Sequence, residues 1–223
     1  IGSADLGSST CTLVDKYFNS IDYQGKYLAY GIREHSMAAI ANGISTSNLI
    51  PIVSTFLVFS SYCLPAIRLS AISNHKVIYV FTHDSIALGE DGITHQPIEQ
   101  LFILRSMPNL LVFRPADYNE LIGCYEYMFQ HTGPSCICLT RQDITNMEQT
   151  NKMEVSHGGY IIYETEPNFE IIILATGSEL YTCYEVIKKL EFDLEKKCRL
   201  VSIPCLGLFE GQNIEYKNMI LPK

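Results

Sequence analysis

Short runs of consecutive apolar residues recur along most of the chain, and they are rich in β-branched and aromatic side chains. Continuous rather than alternating hydrophobicity is typical of strands that are buried on both faces of a parallel sheet. The runs that we predict to be strands are Tyr27–Tyr30, Val77–Phe81, Leu110–Phe113, Cys136–Leu139, Gly159–Glu164, Ile171–Ala175 and Leu200–Ile203.

Between these runs, apolar residues recur at the spacing of amphipathic helices. Pro97 suits a first helical turn because it has no N–H to lose, and Asp117 and Ser178 suit N-cap positions. The alternation of strands and helices predicts an α/β architecture with crossover helices. The predicted helices are Glu34–Ser45, Leu57–Ile72, Pro97–Arg105, Tyr118–Phe129 and Glu179–Leu190.

A polar stretch without a strong period, residues 142–157, separates two α/β patterns. We interpret it as a linker or a long surface loop. The domain boundary is therefore expected near residue 150, with an open parallel sheet in residues 1–150. Residues 151–223 contain about three candidate strands, which is few for a complete sheet, so they predict a partial α/β domain.

Composition excludes several classes of protein. The chain has 223 residues, of which 47% are hydrophobic, which is enough for a large buried core. With 16 basic and 24 acidic residues, the net charge is −8, which argues against a general nucleic-acid binder. No apolar run is long enough to cross a bilayer. The sequence starts Ile-Gly-Ser-Ala-Asp rather than with Met, which indicates an internal cut or a processed end.

The eight cysteines include no Cys-x-x-Cys pair. Cys136 and Cys138 would share one face of a strand, but no nearby second pair completes a metal site. Small buried thiols in a reducing compartment are the expected state, so we interpret the protein as intracellular.

Polar side chains follow several of the predicted strands. In an open parallel sheet, ligands bind beyond the carboxyl ends of the strands. The layout predicts a site that binds a polar, phosphorylated molecule and moves protons. The polar segments are Gly31-Ile32-Arg33-Glu34-His35, Thr82-His83-Asp84-Ser85, Gly89-Glu90-Asp91-Gly92-Ile93-Thr94-His95, Arg114-Pro115-Ala116-Asp117 and Thr140-Arg141-Gln142.

Each of these residues also has a structural interpretation. Glu34 at a helix start can favour the helix dipole, and Asp91 between glycines can be turn chemistry. Histidines can be hydrogen-bonded structural groups, and the segment Thr176–Glu179 can bind an anion or simply cap a helix. No G-x-G-x-x-G or G-x-x-x-x-G-K motif exists. Pattern alone therefore supports an α/β enzyme with a polar site. The arginines that can be ion-pair partners instead of ligands are Arg33, Arg114 and Arg141.

Several segments together resemble the transketolase family in order and spacing. They cover the first predicted domain, and Thr176-Gly177-Ser178-Glu179 extends the match into the second. Two positions depart from the family pattern: Ser54 replaces a usual Gly, with an expected small effect on the approach to the cofactor ring, and Ile93 replaces a usual Pro, which is expected to loosen its loop. The segments are Ser3-Ala4-Asp5-Leu6, Gly31-Ile32-Arg33-Glu34-His35, Thr55-Phe56-Leu57-Val58-Phe59-x-x-Tyr62, Thr82-His83-Asp84-Ser85-Ile86, Gly89-Glu90-Asp91-Gly92-Ile93-Thr94-His95-Gln96-Pro97-Ile98-Glu99, Arg114-Pro115-Ala116-Asp117 and Arg141-Gln142.

The resemblance implies thiamine diphosphate as cofactor, an electron sink whose thiazolium carbon loses a proton. Glu34 matches the catalytic glutamate that hydrogen-bonds the aminopyrimidine ring nitrogen. Phe59 matches the aromatic residue that stacks on the pyrimidine, with Phe56 and Tyr62 lining the same pocket and Asp5 as a further cofactor-binding residue. For Phe56, core packing is an equal alternative.

The resemblance also implies a substrate channel. His83 and Asp91 match residues that bind substrate hydroxyls. His95 matches a residue that binds substrate and helps to stabilise the intermediate or move protons. Ser9 and Arg141 match the end of the channel that holds the sugar phosphate, a role that suits the forked donors of arginine.

The implied activity is the transfer of a two-carbon ketol unit from a ketose phosphate to an aldose phosphate, in the pentose phosphate pathway. The family is cytoplasmic and homodimeric, with sites shared between subunits. Mg²⁺ and the diphosphate are bound by an N-terminal domain with a GDG…N motif that does not occur here. We therefore predict no metal-ligating residues in this chain, and we expect the chain by itself to be inactive. A dihydroxyacetone synthase-like ketol transferase, or a non-catalytic subunit of a split enzyme, remains an alternative.

Overall fold

The computed structural model describes residues 1–14, 16–165 and 168–222. They form two compact units. Unit 1 contains Ile1–Val112 and His131–Gln142, and unit 2 contains Phe113–Gln130 with the described residues from Asp143 onward.

Unit 1 is built on a six-stranded sheet with the order β2-β1-β3-β4-β6-β5. The pairs from β2 through β6 are parallel. Phe56 lies opposite Thr82, and Thr82 opposite Leu139, so three strands end together at one edge of the sheet. The strands are β1 (Gly2–Ser3), β2 (Leu28–Ala29), β3 (Ile52–Phe56), β4 (Ile78–Thr82), β5 (Leu111–Phe113) and β6 (Ser135–Leu139).

Three α-helices accompany this sheet, α1 (Glu34–Ser45), α2 (Ser60–Ser73) and α3 (Gln100–Arg105). Helices α1 and α2 pack against each other. Their apolar faces form one buried cluster with the sheet, which fixes the start of α1 relative to the strand ends. Members of this cluster include Met37, Ala41, Leu57, Ile67, Tyr79 and Phe81.

Unit 2 contains a second, three-stranded sheet with the order β7-β9-β8. Strand β8 is parallel to β9, whereas β7 is antiparallel to it. Leu180, Ile187 and Leu200 lie in its buried core. The elements of this unit are α4 (Tyr118–Gln130), β7 (Tyr160–Glu164), β8 (Ile171–Ala175), α5 (Glu179–Leu194), β9 (Cys198–Ser202), α6 (Leu206–Glu210) and α7 (Ile214–Ile220).

The polar stretch before β7 is a loop that is fixed against α4. Asp117 caps this helix, since its carboxylate accepts from the N–H of Glu120 at 3.1 Å. The same carboxylate accepts from the Thr150 hydroxyl at 2.6 Å and from the N–H of Met147 at 3.0 Å. One side chain therefore caps a helix and holds the loop.

The α/β architecture is confirmed, and most predicted elements are present with shifts of one or two residues. Two helix starts differ from the prediction, those of α2 and α3. Helix α2 begins at Ser60 rather than Leu57, because Leu57–Phe59 form a separate 3₁₀ turn. Helix α3 begins at Gln100 rather than Pro97, because the Gln100 side chain accepts from the N–H of Ile98 and closes a separate turn. Ser178 precedes α5 but makes no side-chain capping bond.

No disulfide joins any of the eight cysteines, all of which lie in the described part of the chain, and all but Cys11 and Cys183 are buried. Among the described residues, none of the helices combines the length and apolar composition that a membrane-spanning helix needs.

Candidate active site

The carboxylate of Glu34 lies at the start of α1, where a tight turn brings the chain into the helix. Gly31 has a φ of +65°, which glycine adopts at no steric cost. The guanidinium of Arg33 donates to the carbonyl of Tyr30 at 3.0 Å. Glu34 is only 8% exposed and has no hydrogen-bond or ion-pair partner among the described residues. A buried carboxylate without a partner costs free energy, so this group is available to a ligand that can donate a hydrogen bond to it.

Glu34 lines a cavity of about 480 Å³ in unit 1. The walls are mostly apolar, and Glu34 and Asp5 supply the two carboxylates. Such a space suits a flat ring with one polar edge. The lining residues are Ala4, Asp5, Leu6, Ile32, Glu34, Phe59 and Tyr62.

Four rings, which we call the aromatic row, run from this cavity to the end of β4. They are Tyr62, Phe59, Phe56 and His83. Successive ring centroids are 6.1, 5.9 and 3.7 Å apart, with interplanar angles of 23°, 11° and 26°. Phe56 is buried within the row and does not line the Glu34 cavity, so its contact is with His83 rather than with the cavity space.

His95 approaches the aromatic row edge-on. Its ring centroid is 5.2 Å from that of Phe59 and 6.1 Å from that of Phe56, at steep angles. The Thr94 hydroxyl lies 2.9 Å from Nδ1 of His95. The segment Ile93–His95 forms a single 3₁₀ turn, and the side chain of Ile93 is exposed.

His83 follows β4 directly, in the left-handed region with a φ of +60°. This backbone is uncommon for a residue other than glycine, and it turns the ring out of the strand direction. Burial lowers the pKa of His83, although the negative charge of Asp91 opposes that shift. The ring is therefore neutral near pH 7.

A second cavity of about 410 Å³ contains His83 and Arg141. Arg141 lies 3.8 Å from the Glu90 carboxylate, and both side chains are largely exposed. An exposed ion pair of this kind contributes little to stability, so Arg141 can release Glu90 and bind an anionic ligand instead. The cavity is lined by Ser9, Thr10, Cys11, Thr82, His83, Leu139, Thr140 and Arg141.

The residues proposed from the sequence thus fall into three groups, and Asp91 lies apart from them. Asp5, Glu34, Phe59 and Tyr62 share the first cavity, and Ser9, His83 and Arg141 share the second. Phe56 and His95 lie between, in contact with Phe59. Asp91 is exposed on the loop after β4 and acts on His83 through its charge.

Two other arginines have structural partners. In unit 2, Arg114 is buried, pairs with the carboxylate of Glu179 and donates to the carbonyl of Thr176 at 2.8 Å. The segment after β8 is thus bound to a side chain of its own unit. With Arg33 directed at Tyr30, the ion-pair or hydrogen-bond interpretation holds for these two arginines.

Ser54 does not line the Glu34 cavity. Its hydroxyl is buried and lies 2.6 Å from that of Thr12 and 3.0 Å from that of Thr10. Ser54 therefore contacts the loop that carries Ser9, through the hydroxyls of Thr10 and Thr12.

Sequence reasoning missed the threonines that support the histidines. Thr82 and Thr94 each precede a histidine and place a hydroxyl at its Nδ1. The twice-repeated Thr-His pair is the signal that points to them.

Two protein-family models match the chain. The one described as "Transketolase, pyrimidine binding domain" matches residues 1–146, and "Transketolase-like TK C-terminal domain" matches residues 158–223.

Individual proteins give the same picture. The chain is 44% identical to a transketolase of Nostoc over 229 residues, which covers 100% of this chain and 34% of that protein. The structure of a Pichia stipitis transketolase in complex with sedoheptulose-7-phosphate superposes with a TM-score of 0.95 at 42% identity, covering 99% of this chain and 34% of that one. A structure described as "Split gene transketolase, inactive beta4 tetramer" has a TM-score of 0.76 at 26% identity, covering 99% of this chain and 69% of that one. The chain thus spans about a third of the length of most of these relatives.

Proposed function

The chain belongs to the transketolase family, and from this premise we propose that it supplies the pyrimidine-binding part, and some of the C-terminal part, of an enzyme that moves a two-carbon ketol unit from a ketose phosphate to an aldose phosphate. The observation that carries the proposal is the buried, unpartnered carboxylate of Glu34 in a largely apolar cavity beside Phe59 and Tyr62. A structural glutamate at a helix start would be solvated or paired.

The Glu34 cavity fits the aminopyrimidine ring of thiamine diphosphate. When bound, this cofactor supplies an electron sink for breaking a bond next to a carbonyl. Phe59 and Tyr62 would hold the flat ring through stacking, and the Glu34 carboxylate would hold a proton at its ring nitrogen. Asp5 lies in the same wall and is positioned to act on the ring's polar groups.

We place the diphosphate and Mg²⁺ outside this chain. Within residues 1–14, 16–165 and 168–222, no three His, Cys, Asp or Glu side chains are grouped to hold a metal ion. From the family resemblance, we propose that the complete enzyme is a homodimer whose sites draw on both subunits. We also propose that it acts in the cytoplasm, in the pentose phosphate pathway.

The second cavity suits the sugar phosphate. His83, with a neutral ring, and Asp91 would bind hydroxyl groups of the substrate, and His95 would act near its carbonyl. Ser9 and Arg141 would bind the phosphate at the far end, where Arg141 has only a weak exposed partner.

The test is a ketol-transfer assay on the full-length enzyme with wild-type Glu34 and with Glu34→Gln. A loss of turnover in the variant supports the proposal, and Glu126→Gln, an exposed residue paired with Lys152, is the matched control. Phosphorylated and unphosphorylated acceptors are compared in the same assay, because a preference for the unphosphorylated ones would favour a dihydroxyacetone synthase-like activity instead.

A split enzyme is the second candidate, because this chain covers 69% of the protein described as a split gene transketolase. Titration calorimetry on the 223-residue chain with thiamine diphosphate and Mg²⁺ distinguishes the cases. We expect no micromolar binding by the chain alone, since ring contacts scarcely offset the association cost of about 4–15 kcal/mol. Recovery of binding when a separate diphosphate-binding chain is added would favour the split arrangement.

A further inference from the structure

The hydroxyl of Thr82 is the hydrogen-bond partner of the His83 ring. Its oxygen lies 3.0 Å from Nδ1, and the pair is buried. No other described residue hydrogen-bonds to either Thr82 Oγ1 or the His83 ring. Nε2, on the other side of the ring, is thus without a protein partner.

This isolation settles which atom donates. If Nδ1–H donated to the hydroxyl, the hydrogen of the Thr82 hydroxyl would have no acceptor among the described residues. If the hydroxyl donates to Nδ1, only a spare oxygen lone pair is unfilled. An unpaired buried donor costs more than an unfilled lone pair. The hydroxyl therefore donates, and the hydrogen of the neutral ring lies on Nε2.

Two further contacts hold the ring in this orientation. The ring of Phe56 covers one face, with centroids 3.7 Å apart, and the backbone of His83 has a φ of +60°. Neither contact distinguishes the two ring edges. A rotation of 180° about the Cβ–Cγ bond would keep the stacking and exchange the Nδ1 side for a carbon, and the hydroxyl of Thr82 prevents it.

We propose that Thr82 is a positioning residue, which fixes the flip and the tautomer of His83 so that Nε2–H is the donor that the second cavity offers to a substrate oxygen. The hydrogen-bond assignment stands on its own contacts. Its consequence for turnover rests on the proposed function.

The assignment is tested by long-range ¹H–¹⁵N NMR of the histidine-labelled 223-residue chain at about pH 8, where neutral rings dominate. His83→Gln identifies the signal. In the wild-type chain we expect a single His83 species protonated at Nε2, and in Thr82→Val both tautomers, because either ring edge can then face the cavity. A wild-type ring protonated at Nδ1, or a Thr82→Val spectrum like that of the wild type, overturns the proposal. The wild-type measurement decides even if Thr82→Val does not fold.

Two variants distinguish the effect of losing the Thr82 hydroxyl from the general effect of a substitution in the core. Thr82→Ser keeps the hydroxyl and is expected to restore the single species. Thr55→Val removes a buried hydroxyl that has no partner, on the neighbouring strand β3, and is expected to leave the His83 signal unchanged.

In the full-length enzyme, kcat/KM of Thr82→Val should fall by about 2- to 10-fold, the worth of one hydrogen bond, with unchanged affinity for thiamine diphosphate. Thr82→Ser should recover it. Equal kcat/KM in Thr82→Val and wild type overturns the positioning role. If the wild type transfers no ketol unit although its His83 signal is as expected, the proposed function is wrong and the hydrogen-bond assignment is supported.

Discussion

The ring of Phe56 stacks on the ring of His83, with their centroids 3.7 Å apart and their planes 26° from parallel. The contact arises from the sheet register, because Phe56 ends β3 opposite Thr82, the residue before His83. Two residues separated along the chain by a helix and a strand thus form one buried pair. Through this pair, Phe56 contacts a residue that lines the second cavity as well as the core.

Removing the Phe56 ring should raise the pKa of His83 toward its ordinary value, because burial is the main cause of its lowering. Phe56→Leu keeps an apolar side chain but uncovers the imidazole. Histidine NMR signals followed against pH in the 223-residue chain measure this. Phe59→Leu is the control, since its ring contacts His95 and not His83. Equal shifts in both variants would contradict the role of the stack.

Replacing Glu34 should separate activity from stability. In the full-length enzyme, Glu34→Gln should lower kcat by about 10²–10⁴-fold, because a positioned proton-transfer group is lost. The free energy of unfolding should stay the same or rise, since the change removes a buried charge that has no partner. Steady-state kinetics and urea unfolding of the same variant measure both. A large loss of stability would indicate a structural glutamate.

Most strands and helices follow from the sequence because their apolar residues either form continuous runs or recur at helical spacing. Strand β3 was missed since Ser54 and Thr55 break its apolar run. In the fold both side chains are buried, and the Ser54 hydroxyl is paired with Thr12, a contact from 42 residues away. Helices α6 and α7, with 5 and 7 residues, are too short to show a period.

The residues proposed to contact cofactor and substrate were named from the sequence, but the supporting threonines Thr82 and Thr94 and the division of the site into two cavities were not. That division depends on the register of β3 against β4, which places Phe56 next to His83 and away from the Glu34 cavity. The burial of Arg114 against Glu179 likewise depends on contacts across 65 residues. Such pairings leave no local pattern in a single sequence.

Arg141 should determine affinity for the phosphate rather than the rate of the chemical step. Loss of a charge-assisted bond costs about 1.5–3 kcal/mol, so Arg141→Ala should raise KM for phosphorylated acceptors by about 10- to 100-fold. For unphosphorylated acceptors KM should be nearly unchanged. Glu90→Gln provides the control, because it removes the only carboxylate paired with Arg141 among the described residues and should not raise KM. Equal losses on both kinds of acceptor would exclude phosphate binding by Arg141.

Glu120 makes the stability of unit 2 dependent on pH. Its carboxylate is fully buried in α4 and accepts from the hydroxyls of Tyr160 and Ser202 and from the N–H of Ala116. The three donors favour the charged form, but burial outweighs them and raises the pKa of Glu120 above its ordinary value of 4.5. The group therefore binds its proton more tightly in the folded than in the unfolded chain.

A raised pKa in the folded state stabilises the protein below the ordinary pKa, and this contribution is lost as pH rises through the folded-state value. In Glu120→Gln the dependence should be absent. The amide oxygen can still accept from Ala116, and the NH₂ group can donate to the two hydroxyls. The free energy of unfolding of the wild type, minus that of the variant, should fall as the pH is raised above the ordinary pKa of 4.5, by at most about 1.4 kcal/mol per pH unit. Urea unfolding followed by circular dichroism measures it, with the exposed Glu126→Gln as control. A difference that stays constant as the pH is raised would mean that Glu120 titrates alike in the folded and unfolded chain, and that its three donors fully offset its burial.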